Sequence, residues 1–133
     1  YSQFSHEIPP DRRENPCEIW PDHSGRNLLL KESVAAMDDA NLDAVVFPTW
    51  SNPPASINKA VEEYLGDNSQ GWVPAAGLPA VTVPMGFWKG RLPAGIQIVG
   101  RPYSEGQLIE IAYSYEQATH HRRPPSGLSA LAE

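Results

Sequence analysis

The stretch that decides the fold has two halves: Ala75-Ala76-Gly77-Leu78-Pro79-Ala80-Val81-Thr82-Val83-Pro84-Met85-Gly86-Phe87 and, after four intervening residues, Leu92-Pro93-Ala94-Gly95-Ile96-Gln97-Ile98-Val99-Gly100-Arg101-Pro102. Apolar side chains alternate with polar or small ones over 81–85 and again over 96–98. Alternation with a period of two is typical of β-strands. The residues between the halves, 88–91, include a glycine and suit a turn. The sequence therefore predicts a β-hairpin.

A helix is predicted to follow this hairpin. Ser104 precedes Gln107 by three residues, the spacing of a capping box, in which two side chains satisfy free N–H groups at a helix start. The apolar residues that follow recur at helical spacing: Leu108, Ile111, Ala112 and Tyr115. The pair Pro124-Pro125 is expected to end this helix.

Upstream of the hairpin, the pattern predicts a helix over 25–40 that ends near Asn41. The apolar run 44–47 lacks alternation, which indicates a strand covered on both faces, as in an α/β sheet, and Pro48 is expected to stop its ladder. A short amphipathic helix is predicted within 57–65, with Gly66 as its cap. Glycines and prolines interrupt 67–79, which we interpret as a loop with at most one helical turn.

The chain of 133 residues is long enough for a single domain. We predict an irregular segment over 1–23, an α/β body over 24–123 and a tail over 124–133. Cys17 is the only cysteine, so no intrachain disulfide can form. The sequence contains neither an apolar run of membrane-spanning length nor a signal peptide. We therefore expect a cytoplasmic protein without a membrane partner.

The formal net charge of −6 argues against a nucleic-acid partner, because such surfaces are normally basic. The cluster His120-His121-Arg122-Arg123 follows the last predicted helix. Cations at that position complement the negative end of the helix dipole, and we interpret the cluster in that way.

A search for catalytic or cofactor motifs finds no phosphate loop, no dinucleotide fingerprint and no Gly-x-Ser-x-Gly elbow. Adjacent histidines on a helix do not face each other, so His120 and His121 are poor joint ligands. The sequence predicts no metal and no cofactor. The four tryptophans, at 20, 50, 72 and 88, suit either stacking on a carbohydrate or an aromatic ligand, or burial against a larger body; the sequence leaves these interpretations open.

The two halves of the deciding stretch resemble the amidase signature family. The resemblance lies in Gly77-Leu78-Pro79-Ala80, in Val83-Pro84-Met85-Gly86 and in 92–102, and it extends more weakly upstream over Met37-Asp38, 42–46 and Pro48-Thr49. It covers about 25–120. It implies the C-terminal portion of the amidase signature fold, a mixed β-sheet with flanking helices. It also implies hydrolysis of a carboxylic amide by two serines and a lysine.

The chain departs from the family pattern where the chemistry would lie. No two serines are adjacent, no Gly-Ser-Ser or Gly-Gly-Ser stretch occurs, and the only lysines are Lys31, Lys59 and Lys89, none in the family's catalytic context. No catalytic residue is therefore carried over, and the isolated chain is predicted not to be catalytic.

The resemblance assigns substrate contacts to three residues. In family members that use glutamine, an acidic residue just before the Gly-Leu-Pro turn contacts the amino group of the substrate, and Asp67 stands at that place. Gln70 and Trp72 would line the same pocket wall. The alternative for Asp67 is a cap or turn after Gly66, a position that aspartate favours.

Three hypotheses about function follow. The first is a C-terminal fragment of an amidase, inactive alone, whose partner is the N-terminal catalytic portion or a second copy covering the sheet edge, with a small-molecule amide as substrate. The second is a non-catalytic binding or regulatory module built on the same fold fragment. The third, an independent hydrolase with an unrelated site, lacks any nucleophile motif in the sequence.

Overall fold

The computed structural model describes residues 23–66 and 69–124, without the side chains of residues 69 and 70. A 3-10 turn, Ile57–Lys59, leads directly into the second helix. The elements in chain order are α1 (Ser24–Asp39), β1 (Val45–Pro48), α2 (Ala60–Glu63), α3 (Ser69–Ala76), β2 (Ala80–Trp88), β3 (Leu92–Val99) and α4 (Glu105–Thr119). The predicted segments 1–23 and 124–133 lie outside the described residues except for His23 and Pro124, so the domain division stays a prediction.

The three strands form one antiparallel sheet in the order β1-β3-β2. The predicted hairpin is confirmed: β2 pairs with β3 from Ala80↔Val99 to Trp88↔Leu92, with a bulge between Pro84 and Gly86. Its turn has left-handed backbone at Lys89 and Gly90, with φ of 49° and 70°. The glycine adopts this conformation without the steric cost of a Cβ atom.

Each of the three strand prolines lies where the ladder needs no N–H donor. The Thr49 N–H donates to the Gly95 carbonyl at 2.8 Å, so in β3 the odd-numbered residues point their backbone groups toward β1 and the even-numbered ones toward β2. Because Pro48 pairs with Ile96 and Pro84 pairs with Gly95, both proline nitrogens point away from β3. Pro93 likewise directs its nitrogen away from β2, beyond the end of β1.

Two apolar clusters lie on opposite faces of the sheet, because consecutive residues of β3 point to opposite faces. Val99 packs with α3 through Val73 and Ala76 on one face. Ile98 packs with Leu108 and Ala112 of α4 on the other. Burying a side chain such as Leu108 contributes about 1.5–3 kcal/mol, so these two clusters fix the helices to the sheet.

Helix α1 confirms the prediction of a helix over 25–40. It begins after His23, whose Nδ1 accepts a hydrogen bond from the Arg26 N–H. It ends at Asp39, close to the predicted Asn41, which has left-handed backbone (φ 50°); the Leu42 N–H closes the turn on the Met37 carbonyl at 2.8 Å.

The loop predicted over 67–79 is wrong, because residues Ser69–Ala76 form helix α3. Pro74 lies inside this helix and removes one backbone hydrogen bond. Burial of Val73 and Ala76 against β3 offsets that loss. Gly77, at φ 70°, reverses the chain, and the Leu78 N–H bonds the Val73 carbonyl at 3.1 Å, as in a Schellman motif.

Helix α4 confirms the predicted element but not its ends. Ser104 is the N-cap without a capping hydrogen bond, since its Oγ donates to the Arg101 carbonyl at 2.7 Å. Gln107 instead reaches Asp43, with Nε2 3.5 Å from Oδ1, so the capping box is wrong. The helix ends at Thr119, because the next residue, His120, has left-handed backbone. The end therefore comes before the proline pair.

The cover expected on both faces of β1 is incomplete in this chain. Phe47 packs toward Trp72, but Val46, on the opposite face, is 55% exposed. The reason is that α4 packs over β2 and β3, leaving edge strand β1 open. The predicted short helix is present as α2, yet Ile57 and Val61 are 96% and 95% exposed. No helix in residues 23–66 and 69–124 is long and apolar enough to cross a membrane.

Candidate functional site

Two of the three predicted substrate residues, Gln70 and Trp72, belong to helix α3. Asp67 lies outside the described residues. Gln70 is in the first turn of α3, and its side chain is also outside them. Trp72 is described in full, on the side of α3 that faces α1 and β1.

Trp72 is held in one orientation by a hydrogen-bond chain. Its Nε1–H donates to Ser33 Oγ at 2.8 Å, and Ser33 Oγ donates in turn to the Leu29 carbonyl at 2.6 Å. The indole ring lies 6.0 Å from the Phe47 ring, centroid to centroid. The buried Ser33 hydroxyl is thus satisfied. Because the indole N–H is already used, Trp72 can offer a ligand only its apolar surface.

The other end of α3 is fixed by Arg26, which the sequence reasoning missed. Its Nε donates to the Ala75 carbonyl at 3.0 Å and its Nη2 to the Pro74 carbonyl at 2.6 Å. These are carbonyls of the last turn of α3, where a cation also complements the helix dipole. Arg26 and Ala75 are 49 residues apart in sequence, and no local pattern signals such a contact. The helix that carries Gln70 and Trp72 is thereby attached to α1.

A cleft of about 540 Å³ lies between the loop after β1 and the hairpin. We call it the aromatic cleft; its lining is Pro48, residues 50–55, residues 64–66, Met85, Trp88 and residues 92–95. Asn52 closes the loop by donating from Nδ2 to the Gly66 carbonyl at 3.0 Å. The sequence singles out Trp50 and Trp88 but gives no means to bring them together.

The lining of the aromatic cleft contains no charged side chain. Lys89 lies beside it, with its Nζ 4.3 Å from the centroid of the Trp88 ring. A second cavity, of about 340 Å³, shares no lining residue with the cleft and is lined by Trp72, Ser33, Met37 and neighbouring residues. Trp72 and the aromatic cleft therefore belong to different cavities.

One carboxylate near the cleft loop has a perturbed proton affinity. Ser56 donates to Glu63 from its Oγ at 2.6 Å and from its backbone N–H at 3.0 Å. These two hydrogen bonds, the side-chain one first, lower the pKa of Glu63 below its ordinary value of 4.5. They close the 56–63 segment into a compact turn and give no sign of a catalytic acid.

A metal centre finds no support in the part of the chain that the structure describes, where no group of three His, Cys, Asp or Glu side chains could hold an ion. The described cationic cluster is used structurally instead. Arg123 lies over the Phe87 ring at 3.8 Å and donates from Nη2 to the Gly90 carbonyl at 2.5 Å. The cluster thus follows α4, as predicted, and also ties the chain to the hairpin turn.

Comparison with known proteins identifies the family of this chain. The Amidase family model matches residues 15–109. The chain belongs to the amidase family. It is 37% identical over 105 residues to a Glutamyl-tRNA(Gln) amidotransferase subunit from Thermodesulfovibrio yellowstonii and 38% identical over 106 residues to its counterpart from Symbiobacterium thermophilum. These alignments cover 74% and 76% of this chain.

The fold agrees with solved amidase structures. The native peptide amidase from Stenotrophomonas maltophilia superposes with a TM-score of 0.61 and 41% identity, covering 75% of this chain and 20% of that protein. An amidase family protein from Bacillus anthracis gives a TM-score of 0.55 at 29% identity, covering 76% of this chain and 17% of that protein. The α/β assignment and the amidase fold are confirmed. The chain spans about a fifth of the length of the curated relatives it matches.

Proposed function

We propose that this chain forms the C-terminal part of a protein that hydrolyses carboxylic amide C–N bonds. The observation that carries the proposal is the superposition on a peptide amidase at 41% identity over three quarters of the chain. The nucleophile, a second serine and a lysine would come from another part of the amidase domain. A serine hydroxyl needs such an activating base, together with donors that stabilise the developing oxyanion.

Within that proposal, the chain contributes a wall of the substrate pocket. Helix α3 carries Gln70 and Trp72, and Asp67 precedes its first residue by two positions in the sequence; we assign these three residues to substrate contact. Arg26 and Ser33 are positioning residues, because they act on the substrate wall through α3 and Trp72. Precise placement of such a wall matters, since catalysis depends on holding the reacting bond in line with its attacking group.

The open surface around β1 supports a larger body. Among the described residues, Val46 of β1 stays 55% exposed and Val61 of α2 stays 95% exposed. Apolar groups of this kind normally mark an interface. The proposal assigns their cover to the catalytic portion of the amidase domain; the alternative cover is a second copy of this chain.

The test is a graft. The segment of the Stenotrophomonas maltophilia peptide amidase that aligns with this chain is replaced by the corresponding residues of this chain, and ammonia release from peptide amides is measured. We expect the graft to hydrolyse amides. A graft in which Trp72 is changed to Phe keeps the ring packing and should fold but show a raised KM, since it alters the pocket wall. A folded but inactive graft would reject the proposal.

The full 133-residue chain assayed alone gives the complementary result. We expect no amide hydrolysis above the uncatalysed rate, because the sequence offers no adjacent serines. Enzyme-like turnover by the chain alone would show that its nucleophile had been overlooked. An inactive graft together with a monodisperse monomer that unfolds sharply would favour the binding or regulatory module instead.

A further inference from the structure

We propose that the aromatic cleft binds the uncharged aromatic group of an amide substrate, with Asn52 Oδ1 accepting a hydrogen bond from the amide N–H. This inference rests on the proposed function, because it names a class of amide for the protein proposed above. It gives a ligand to a cleft that none of the three predicted substrate residues lines.

The size of the cleft fits a small organic molecule. Its volume of about 540 Å³ lies within the range of roughly 300–1,000 Å³ typical of ligand sites. An aryl ring with its linking chain and an amide group fits this space. A peptide strand paired with β3 inside the cleft would form fewer hydrogen bonds, because Pro93 leaves the free edge of β3 without an N–H donor there.

The walls present exposed aromatic surface, although Lys89 lies over one face of the Trp88 ring. Trp50 comes from the loop after β1 and Trp88 from the last position of β2, and they are 53% and 44% exposed. Among the described residues, Trp50 has neither a ring partner nor a hydrogen-bond partner. Large exposed rings that line a cavity can stack on a planar ligand, and aromatic pairs add to the free energy of simple burial.

The polar groups of the cleft suit a neutral amide. Asn52 Nδ2 is committed to the Gly66 carbonyl at 3.0 Å, which fixes the side chain and leaves Oδ1 as an acceptor without a partner among the described residues. A carboxylate in the same place would meet no charged partner in the lining. Removing such an anion from water without a partner is strongly unfavourable. The cleft therefore discriminates by charge in favour of the amide over the acid.

The test uses the full chain and three probes that share a skeleton: 3-phenylpropanamide, its acid 3-phenylpropanoate, and propanamide, which lacks the ring. Binding is followed by protein-observed NMR titration. We expect the aromatic amide to bind in the millimolar range, as suits its size. The acid and propanamide should each bind at least about tenfold more weakly. N,N-dimethyl-3-phenylpropanamide, which has no amide N–H, should also lose affinity.

The matched variants are Trp50→Ala in the cleft and Tyr113→Ala on the exposed face of α4, outside it. The first should weaken binding of the aromatic amide about tenfold, and the second should leave it unchanged. Equal binding of the acid and the amide, no effect of Trp50→Ala, or no binding of any probe would overturn the inference. Because the probe series uses the wild-type chain, it decides the question even if a variant fails to fold. A graft that hydrolyses amides while the cleft binds no probe would reject this inference alone.

Discussion

The attachment of α3 to α1 through Arg26 leads to a quantitative prediction. Arg26→Met keeps the aliphatic stem but removes the hydrogen bonds to the Ala75 and Pro74 carbonyls. A hydrogen bond to a charged group contributes about 1.5–3 kcal/mol. Because one of these two is solvent-exposed, we expect a combined loss of about 2 kcal/mol, including the helix-dipole contribution.

Hydrogen exchange of backbone amides measures this loss locally. A change of about 2 kcal/mol corresponds to a roughly 30-fold faster exchange of the α3 amides of Val73 and Ala76, since about 1.4 kcal/mol is tenfold. The amides of α4, which contacts the opposite face of the sheet, should change much less. Arg91→Met, at an exposed arginine in the hairpin turn, is the matched control. Protection of α3 that stays within about threefold of wild type would refute the reasoning about Arg26.

Three further predictions concern α3 and the cleft loop. Trp72→Phe keeps the ring packing but removes the N–H donor to a buried serine, and should lower the free energy of unfolding in urea by about 1 kcal/mol; no change would mean that water replaces the donor. Gly77→Ala places a Cβ atom on left-handed backbone at φ 70° and should lower the free energy of unfolding by about 1–2 kcal/mol in the same assay. Gly71→Ala, in α3 with no atom within 4 Å of the added Cβ, should instead raise it by about 0.5–1 kcal/mol. Equal effects of the two substitutions would contradict the backbone assignment. The lowered pKa of Glu63 means that the folded state favours the carboxylate, so its stabilising effect is present above pH 4.5 and is lost as the pH falls through the folded pKa; NMR titration should move its midpoint back up in Ser56→Ala, and an unchanged midpoint would remove the serine as the cause.

Periodicity explains which elements the sequence could predict. The hairpin and α1 carry clean alternation or helical spacing, and the structure places them close to the predicted bounds. Helix α3 was missed because Gly71 and Pro74 lower its intrinsic propensity. Burial of Val73 against the sheet, which no local pattern shows, outweighs that penalty.

The candidate sites were harder to predict because they are tertiary. Amidase resemblance pointed to α3 as a substrate wall, yet the restraints on that wall come from Arg26 and Ser33, far away in sequence. The aromatic cleft forms because the loop after β1 lies beside the hairpin. The tryptophans are the available signal in the sequence, and their spacing alone cannot say which of them meet.

The placement of the strand prolines has a consequence for how this sheet can grow. Along the outer edge of β1, Val46 supplies an N–H and a carbonyl, whereas Pro48 supplies only a carbonyl. That edge accepts more hydrogen bonds than it donates. Two copies of β1 laid side by side would each bring the same shortage, so some carbonyls would stay unpaired in a homotypic ladder. A foreign strand with N–H groups at both positions satisfies the edge completely, which favours a different polypeptide segment over a second copy as its neighbour.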